Sequence, residues 1–257
     1  MVTTGYDSEM DRVGTGTRRT YNQYCGLASA LDVVGERWTL LVVRELLMGP
    51  RRYMDMLSDL PGIGTNLLAE RLKSLVDGGV VRQIPPPGGG SRMAYELTEL
   101  GEQLRPVVLG LARWGMDFIG PHAAHETVRP HWGFLAVEAM LDQEKLPGID
   151  EQYQFEVDDE IFHIDVRDGV AKAVKGPADP PAMIAKVDAA TFVEIGAHRT
   201  TPLAAMVTGR LRLDGDIEAV LRCCELLGLE AGPMPLVSAP EPAPGPRRAA
   251  RVHRAAS

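Results

Sequence analysis

Five residues at helical spacing carry the first chemical signal. Thr65, Asn66, Ala69, Glu70 and Lys73 fall on one side of a helix predicted over 65–77, and Leu68, Leu72, Leu75 and Val76 fall on the other. The apolar stripe seats the helix on a core and turns the polar side outward. Asparagine, threonine and lysine in that position can donate to base edges or to phosphate oxygens. Glu70 can accept from a cytosine amino group, or orient a neighbouring arginine, and Arg71 at the margin of the face has the reach for phosphate. Arg92 follows Gly88-Gly89-Gly90-Ser91, a combination suited to a loop tip entering a minor groove. Arg51 and Arg52 belong to the same basic stretch, 37–92, which holds eight basic residues against five acidic ones.

That local surplus stands out because the chain is acidic, with a net charge of −8 over 257 residues. Residues 121–257 hold 14 basic and 21 acidic residues, whereas 1–120 hold 13 and 14. The balance excludes a generic polyanion binder and leaves room for a localised contact with double-stranded DNA. No G-x-S-x-G, phosphate-binding glycine loop or H-E-x-x-H is present. His122, His125 and Glu126 have metal-ligand letters in the wrong order, inside a linker. No catalytic residue, metal ligand or cofactor is therefore expected, and the expected protein is not an enzyme. Cys25, Cys223 and Cys224 make no disulfide framework and fit a reducing, cytoplasmic setting. No apolar run approaches the ~18–20 residues that cross a bilayer, and residues 1–20 lack an apolar secretory core.

The elements that must position these residues follow from periodicity and punctuation. Helices are predicted at 27–34 and 39–48, the second with Leu40, Leu41, Val43, Leu47 and Met48 inward and Gly49-Pro50 as its stop. A short helix at 53–60, a tight turn at Pro61-Gly62-Ile63-Gly64 and the 65–77 helix come next, ended by Gly78-Gly79. Strands at 80–84 and 93–97 flank the Pro/Gly tip. Thr98 then caps a helix expected to run to about residue 118, with a wide stripe of Leu104, Val108, Leu111 and Phe118 flanked by Val107 and Trp114. Helix, tight turn, longer helix, strand, glycine-rich tip and strand is the order of a winged helix-turn-helix.

A second set of elements follows a linker. It comprises a helix at 132–141, strands at 152–157, 161–167, 170–174, 183–187 and 210–213, and helices near 189–195, 203–208 and 217–227. Asp168-Gly169 marks a two-residue hairpin. The fold class is α+β. The expected organisation is a flexible N-terminus (1–20), a DNA-binding domain (21–120), a linker (121–130), a second domain (131–231) and a disordered Pro/Ala/Arg tail (232–257).

Several blocks in order give the first region a family resemblance. They are Cys25, the run Ala30-Leu31-Asp32-Val33-Val34-Gly35-Glu36-Arg37-Trp38, the run Arg44-Glu45-Leu46-Leu47-Met48-Gly49-Pro50-Arg51-Arg52-Tyr53, Pro61-Gly62-Ile63, Leu67-Leu68-Ala69-Glu70-Arg71-Leu72, and Tyr95-Glu96-Leu97-Thr98-Glu99-Leu100-Gly101. Together they resemble HxlR-type winged-helix regulators. The resemblance implies a homodimer joined by terminal helices, with the 65–77 helix reading DNA. It also makes Cys25 a candidate sensor of oxidants or electrophiles, beside the alternative of simple buried packing. Two departures are Gly64, where a capping residue is usual, and Ala69-Glu70, where Thr-Gln is common.

Residues 130–230 resemble a sterol-carrier-protein-2-type domain. The resemblance rests on the hairpin at Asp168-Gly169, on Thr191-Phe192-Val193-Glu194-Ile195-Gly196, on Ala204-Ala205-Met206-Val207-Thr208-Gly209 and on Arg210-Leu211-Arg212-Leu213-Asp214-Gly215-Asp216. It implies a mixed sheet with helices around an apolar tunnel. Phe162, Ile164, Met183, Phe192, Leu203 and Met206 are the residues that would line it, or fill an ordinary core. The expected function is a cytoplasmic, dimeric regulator of transcription that responds to an apolar small molecule or a thiol-reactive signal, without membrane attachment. The alternative is a carrier of apolar ligands that uses its winged helix for protein contact.

Overall fold

The computed structural model describes residues 20–86, 92–123 and 125–230. The expectations for the N-terminus, the Gly88-Gly89-Gly90-Ser91 tip and the tail from 232 onward fall outside these residues.

The first half runs α1 (Gly26–Val34), α2 (Thr39–Leu47), β1 (Arg51–Arg52), α3 (Tyr53–Asp59), α4 (Thr65–Asp77), β2 (Val81–Ile84), β3 (Ala94–Leu97), α5 (Glu99–Glu102) and α6 (Arg105–Gly115), followed by a single 3₁₀ turn, Met116–Phe118. β3 lies between β1 and β2, antiparallel to both. β1 was not expected. It is two residues long, too short for any period, and exists because Arg51 and Arg52 sit opposite Tyr95 and Ala94. The helix expected to run unbroken from 98 to 118 is divided. Thr98 caps α5 by accepting from the Gly101 N–H, and the chain then restarts as α6 with Pro106 in its first turn, where a missing N–H costs nothing.

The inward face of α2 also differs from expectation. Val42, Val43, Leu46 and Leu47 are buried, Leu41 is exposed, and Glu45 is completely enclosed. The helix is thus rotated so that one ionised side chain enters the interior. Leu68, Leu72 and Leu75 of α4 pack with Val43, Leu46, Met56, Leu60, Val81 and Leu97 into one core.

The second half begins with α7 (Trp132–Met140), then β4 (Glu151–Val157), β5 (Glu160–Arg167), β6 (Val170–Lys175), β7 (Met183–Val187), α8 (Ala189–Gly196), α9 (Pro202–Val207), β8 (Leu211–Gly215) and α10 (Ile217–Leu226). The sheet order is β6-β5-β4-β7-β8, with β4 and β7 parallel and every other pair antiparallel. Asp168 and Gly169, both at positive φ, make the two-residue turn between β5 and β6, the geometry whose twist matches flanking strands. Tyr153, Phe155, Phe162, Ile164, Met183 and Val187 fill the second core with α7, α8 and α10. Leu135 of α7 belongs to the first core instead, and Phe134 packs against both.

Candidate DNA interface and apolar cavity

α4 is aimed by its two ends. Gly62 in the preceding turn has φ +92, and an added Cβ there would lie 3.6 Å from the Trp38 ring. Trp38 itself takes φ +79 at the N-cap of α2, a costly conformation for an aromatic residue. Its ring closes over the turn between α3 and α4. The Tyr53 hydroxyl donates to the Thr65 carbonyl at 2.6 Å, which fixes the start of α4 on α3. The Gly64 N-cap supplies no side-chain acceptor, so the first N–H groups of α4 are not capped by a side chain.

With Leu68, Leu72 and Leu75 buried, Thr65, Asn66, Ala69, Glu70 and Lys73 all emerge on the exposed face. Lys73 pairs with Asp77 one turn on. The arginines divide into two groups. Arg71 is mostly enclosed and fully engaged: Nε donates to the Arg37 carbonyl at 3.0 Å, and the guanidinium pairs with Glu70 at 2.9 Å and Glu36 at 3.3 Å. It ties α4 to the segment between α1 and α2. Arg51 turns inward to Asp59 at 3.6 Å and Glu45 at 3.8 Å. Arg52 and Arg92 are exposed, Arg92 at the foot of the β2–β3 wing. On the wing, Arg82 pairs across the strands with Glu96 at 2.7 Å.

Glu45 is the functional-looking group that periodicity missed. Its Oε1 accepts from Arg44 (2.7 Å) and from Trp132 Nε1 (2.9 Å), and its Oε2 contacts His131 Nε2 at 3.1 Å. Burial pushes this carboxyl up, but the His131 hydrogen bond and the Arg44 charge and hydrogen bonds more than offset that and hold it below the usual carboxylate range. Burial lowers the Arg44 pKa, partly countered by Glu45. Its guanidinium lies over the Trp132 ring, 3.9 Å from the centroid. Glu45, Asp59 and His131 bring potential ligand atoms within 4.8 Å of one another. Arg44, Arg51 and Arg129 already supply positive charge to the two carboxylates, so the cluster is satisfied as an ion-pair latch between α2 and α7. Arg105 reinforces this seam, reaching Glu138 at 3.0 Å and the Leu47 carbonyl at 2.8 Å, and Lys175 reaches the Met48 carbonyl.

Beneath the second sheet face lies a cavity of about 70 Å³ with a wholly apolar wall. Met183 and Phe192 line it, joined by Phe155, Leu213 and the thiols of Cys223 and Cys224. Phe162 and Ile164 are buried in the adjoining core, while Leu203 lies on α9 outside the wall and Met206 is 39% exposed. Burial raises both thiols, Cys224 to about 11 and Cys223 well above the usual thiol value, so neither offers a thiolate near neutrality. Met116 also lines the cavity, although it comes from the 3₁₀ turn that ends α6.

Cys25 occupies the opposite environment. It is exposed at the N-cap of α1. No side-chain cap hydrogen bond forms there, yet the backbone N–H of Ala28, and less strongly that of Leu27, favour the thiolate and lower the thiol pKa. Nearby, Tyr24, Leu27 and Leu31 are exposed, as are Val107, Leu111, Trp114 and Phe118 on α6 and its 3₁₀ turn. The latter set repeats at four, three and four residues, the spacing of a helix-packing seam.

The first half is therefore a winged helix-turn-helix, joined to a mixed sheet with an apolar interior. Residues 33–123 match the HxlR-like helix-turn-helix family, and residues 135–228 match the SCP-2 sterol transfer family. The HTH-type transcriptional regulator YvaP of Bacillus subtilis is 35% identical over 92 residues, which cover 36% of this chain and 85% of that protein. The HTH-type transcriptional regulator YodB of the same species is 33% identical over 95 residues, covering 37% and 85% respectively. The regulator Rv3095 of Mycobacterium tuberculosis is 39% identical over 90 residues, covering 35% of this chain. The matched region spans 56% of the length of that mycobacterial relative. The chain belongs to the HxlR-like helix-turn-helix family and carries an SCP-2-like domain behind it.

Proposed function

We propose that this protein is a sequence-specific DNA-binding regulator of transcription whose second domain takes an uncharged apolar effector. The exposed polar face of α4, held rigid beside the wing while its other face is buried, carries this reading. Asn66 and Thr65 are assigned to base edges. Lys73, Arg52 and Arg92 are assigned to phosphate or the minor groove, and the N–H groups of the first turn of α4 favour an approaching phosphate. Arg71 is assigned the task of setting the tilt of α4, with Glu70 as its partner; Ala69 allows close approach to the groove. Arg51 acts from behind, through β1. The domain division at 21–120, 121–130 and 131–231 is kept as part of the proposal, supported by two cores and by the spans of the two family matches. The seams on α1 and α6 support a second copy of this chain as partner. A cytoplasmic setting fits the regulator reading, and no described helix is long and apolar enough to cross a membrane.

The test is selection of genomic fragments by the purified protein, followed by titration of the selected duplex at rising salt. Affinity should fall steeply with salt, and Arg92→Ala should reduce the slope by about one per wing, so about two per dimer. Failure to enrich any sequence, together with co-purified lipid, would instead favour a ligand carrier that uses its winged helix for protein contact.

A further inference from the structure

We infer that Met116 is the effector contact contributed by the winged-helix half, and that occupation of the cavity is transmitted through it to α6. This rests on reading the cavity as an effector site. The volume decides the point. About 70 Å³ is present, whereas a cavity that admits benzene measures about 150 Å³ and pockets for larger ligands about 300–1,000 Å³. An apolar ligand must therefore displace part of the wall. β4, β7 and β8 are locked in their ladders. Three unbranched thioethers line the cavity; Met183 is held on β7, whereas Met116 and Met140 both press on the backbone of α8 at Gly196. A Cβ added to Gly196 would lie 2.9 Å from Met116 Cε and 3.3 Å from Met140 Sδ. Methionine is the side chain best able to rearrange in such a gap.

The two thioethers differ in what they pull. Met140 ends α7, inside the ligand-binding half. Met116 opens the 3₁₀ turn that continues α6, between Trp114 and Phe118, whose rings lie 4.6 Å apart on the exposed seam. One short segment thus touches the cavity with one residue and the surface assigned to the second copy with its neighbours. A ligand that moves Met116 acts differently on two arrangements of that seam, which is the condition for any effect on DNA affinity. The wall offers no charged side chain and no hydrogen-bonding side chain beyond the Cys223 and Cys224 thiols, so the class of ligand is an uncharged hydrocarbon or fused-ring compound.

The probe is N-phenyl-1-naphthylamine, uncharged and fluorescent in apolar surroundings. It is added to full-length protein labelled with 5-fluorotryptophan, which gives three ¹⁹F resonances from Trp38, Trp114 and Trp132; Trp114→Phe assigns the relevant one. Saturation with probe should shift the Trp114 resonance. In Met116→Ala the shift at saturation should drop by at least half, while binding tightens about threefold or more because no thioether has to be displaced. Gly196→Ala, which pushes on Met116 from behind, should shift the same resonance without probe. Probe binding with a stationary Trp114 signal, or with a shift undiminished in Met116→Ala, would overturn the coupling and leave the effector reading standing. Absence of any probe binding to the unmutated protein would overturn both.

Discussion

Among the three cysteines, environment separates one from two. Cys25 is exposed with a lowered pKa, while Cys223 and Cys224 are buried with raised ones. Brief treatment of the native protein with iodoacetamide at pH 7 should therefore label Cys25 at least about tenfold faster than either of the others, since only the thiolate reacts. Peptide mass spectrometry reads the ratio, and equal labelling would remove Cys25 as a candidate sensor. Glu45 makes a pH-dependent prediction. Its carboxyl is lowered in the folded protein, so its stabilisation is complete above the ordinary carboxylate value of about 4.3 and disappears as pH falls through the lower folded value. Glu45→Gln should lower stability by about 3–5 kcal/mol near neutrality, because Arg44 loses its buried counter-charge. The difference in melting temperature from the unmutated protein should narrow between pH 5 and the acid limit of folding. A constant gap across that range would show that Glu45 contributes shape rather than charge.

At the scale of elements, repetition was legible and exceptions were not. The 65–77 helix, the wing strands and the β5–β6 hairpin are plain in the sequence because each has a period longer than its noise and a glycine or asparagine-like turn residue at its end. β1 escaped because its pairing partner is more than forty residues away. The break before Pro106 escaped because an apolar stripe continues across it. The rotation of α2 follows from His131 and Trp132, which no local pattern links to Glu45. In the candidate DNA site, the face of α4 could be read directly, whereas the inward turn of Arg51 and the triple engagement of Arg71 depend on tertiary partners. The seam on α6 gives the prediction at this scale. Trp114→Glu should convert a dimer to a monomer at micromolar concentration, since a buried tryptophan at such a centre contributes about 2 kcal/mol or more. Light scattering would report the mass, and an unmutated protein already monomeric would dispose of the seam as an interface.

For the whole molecule, the two halves meet through α7, which packs into both cores. The two family matches stop at residue 123 and resume at 135, yet Leu135 is packed with the winged-helix core and Phe134 serves both cores. Arg105, Lys175 and the Glu45 latch lie along the same contact. The winged-helix half is thus completed by a helix that the chain delivers only after residue 131. In evolutionary terms the two parts are not interchangeable cassettes. A recombination that joined a different ligand module at the linker would withdraw Leu135 from its socket and expose the apolar wall it covers. α7 also gives Val137 and Met140 to the second core, so a cut on either side of it would strip one core of a helix, and the two halves can be exchanged only together.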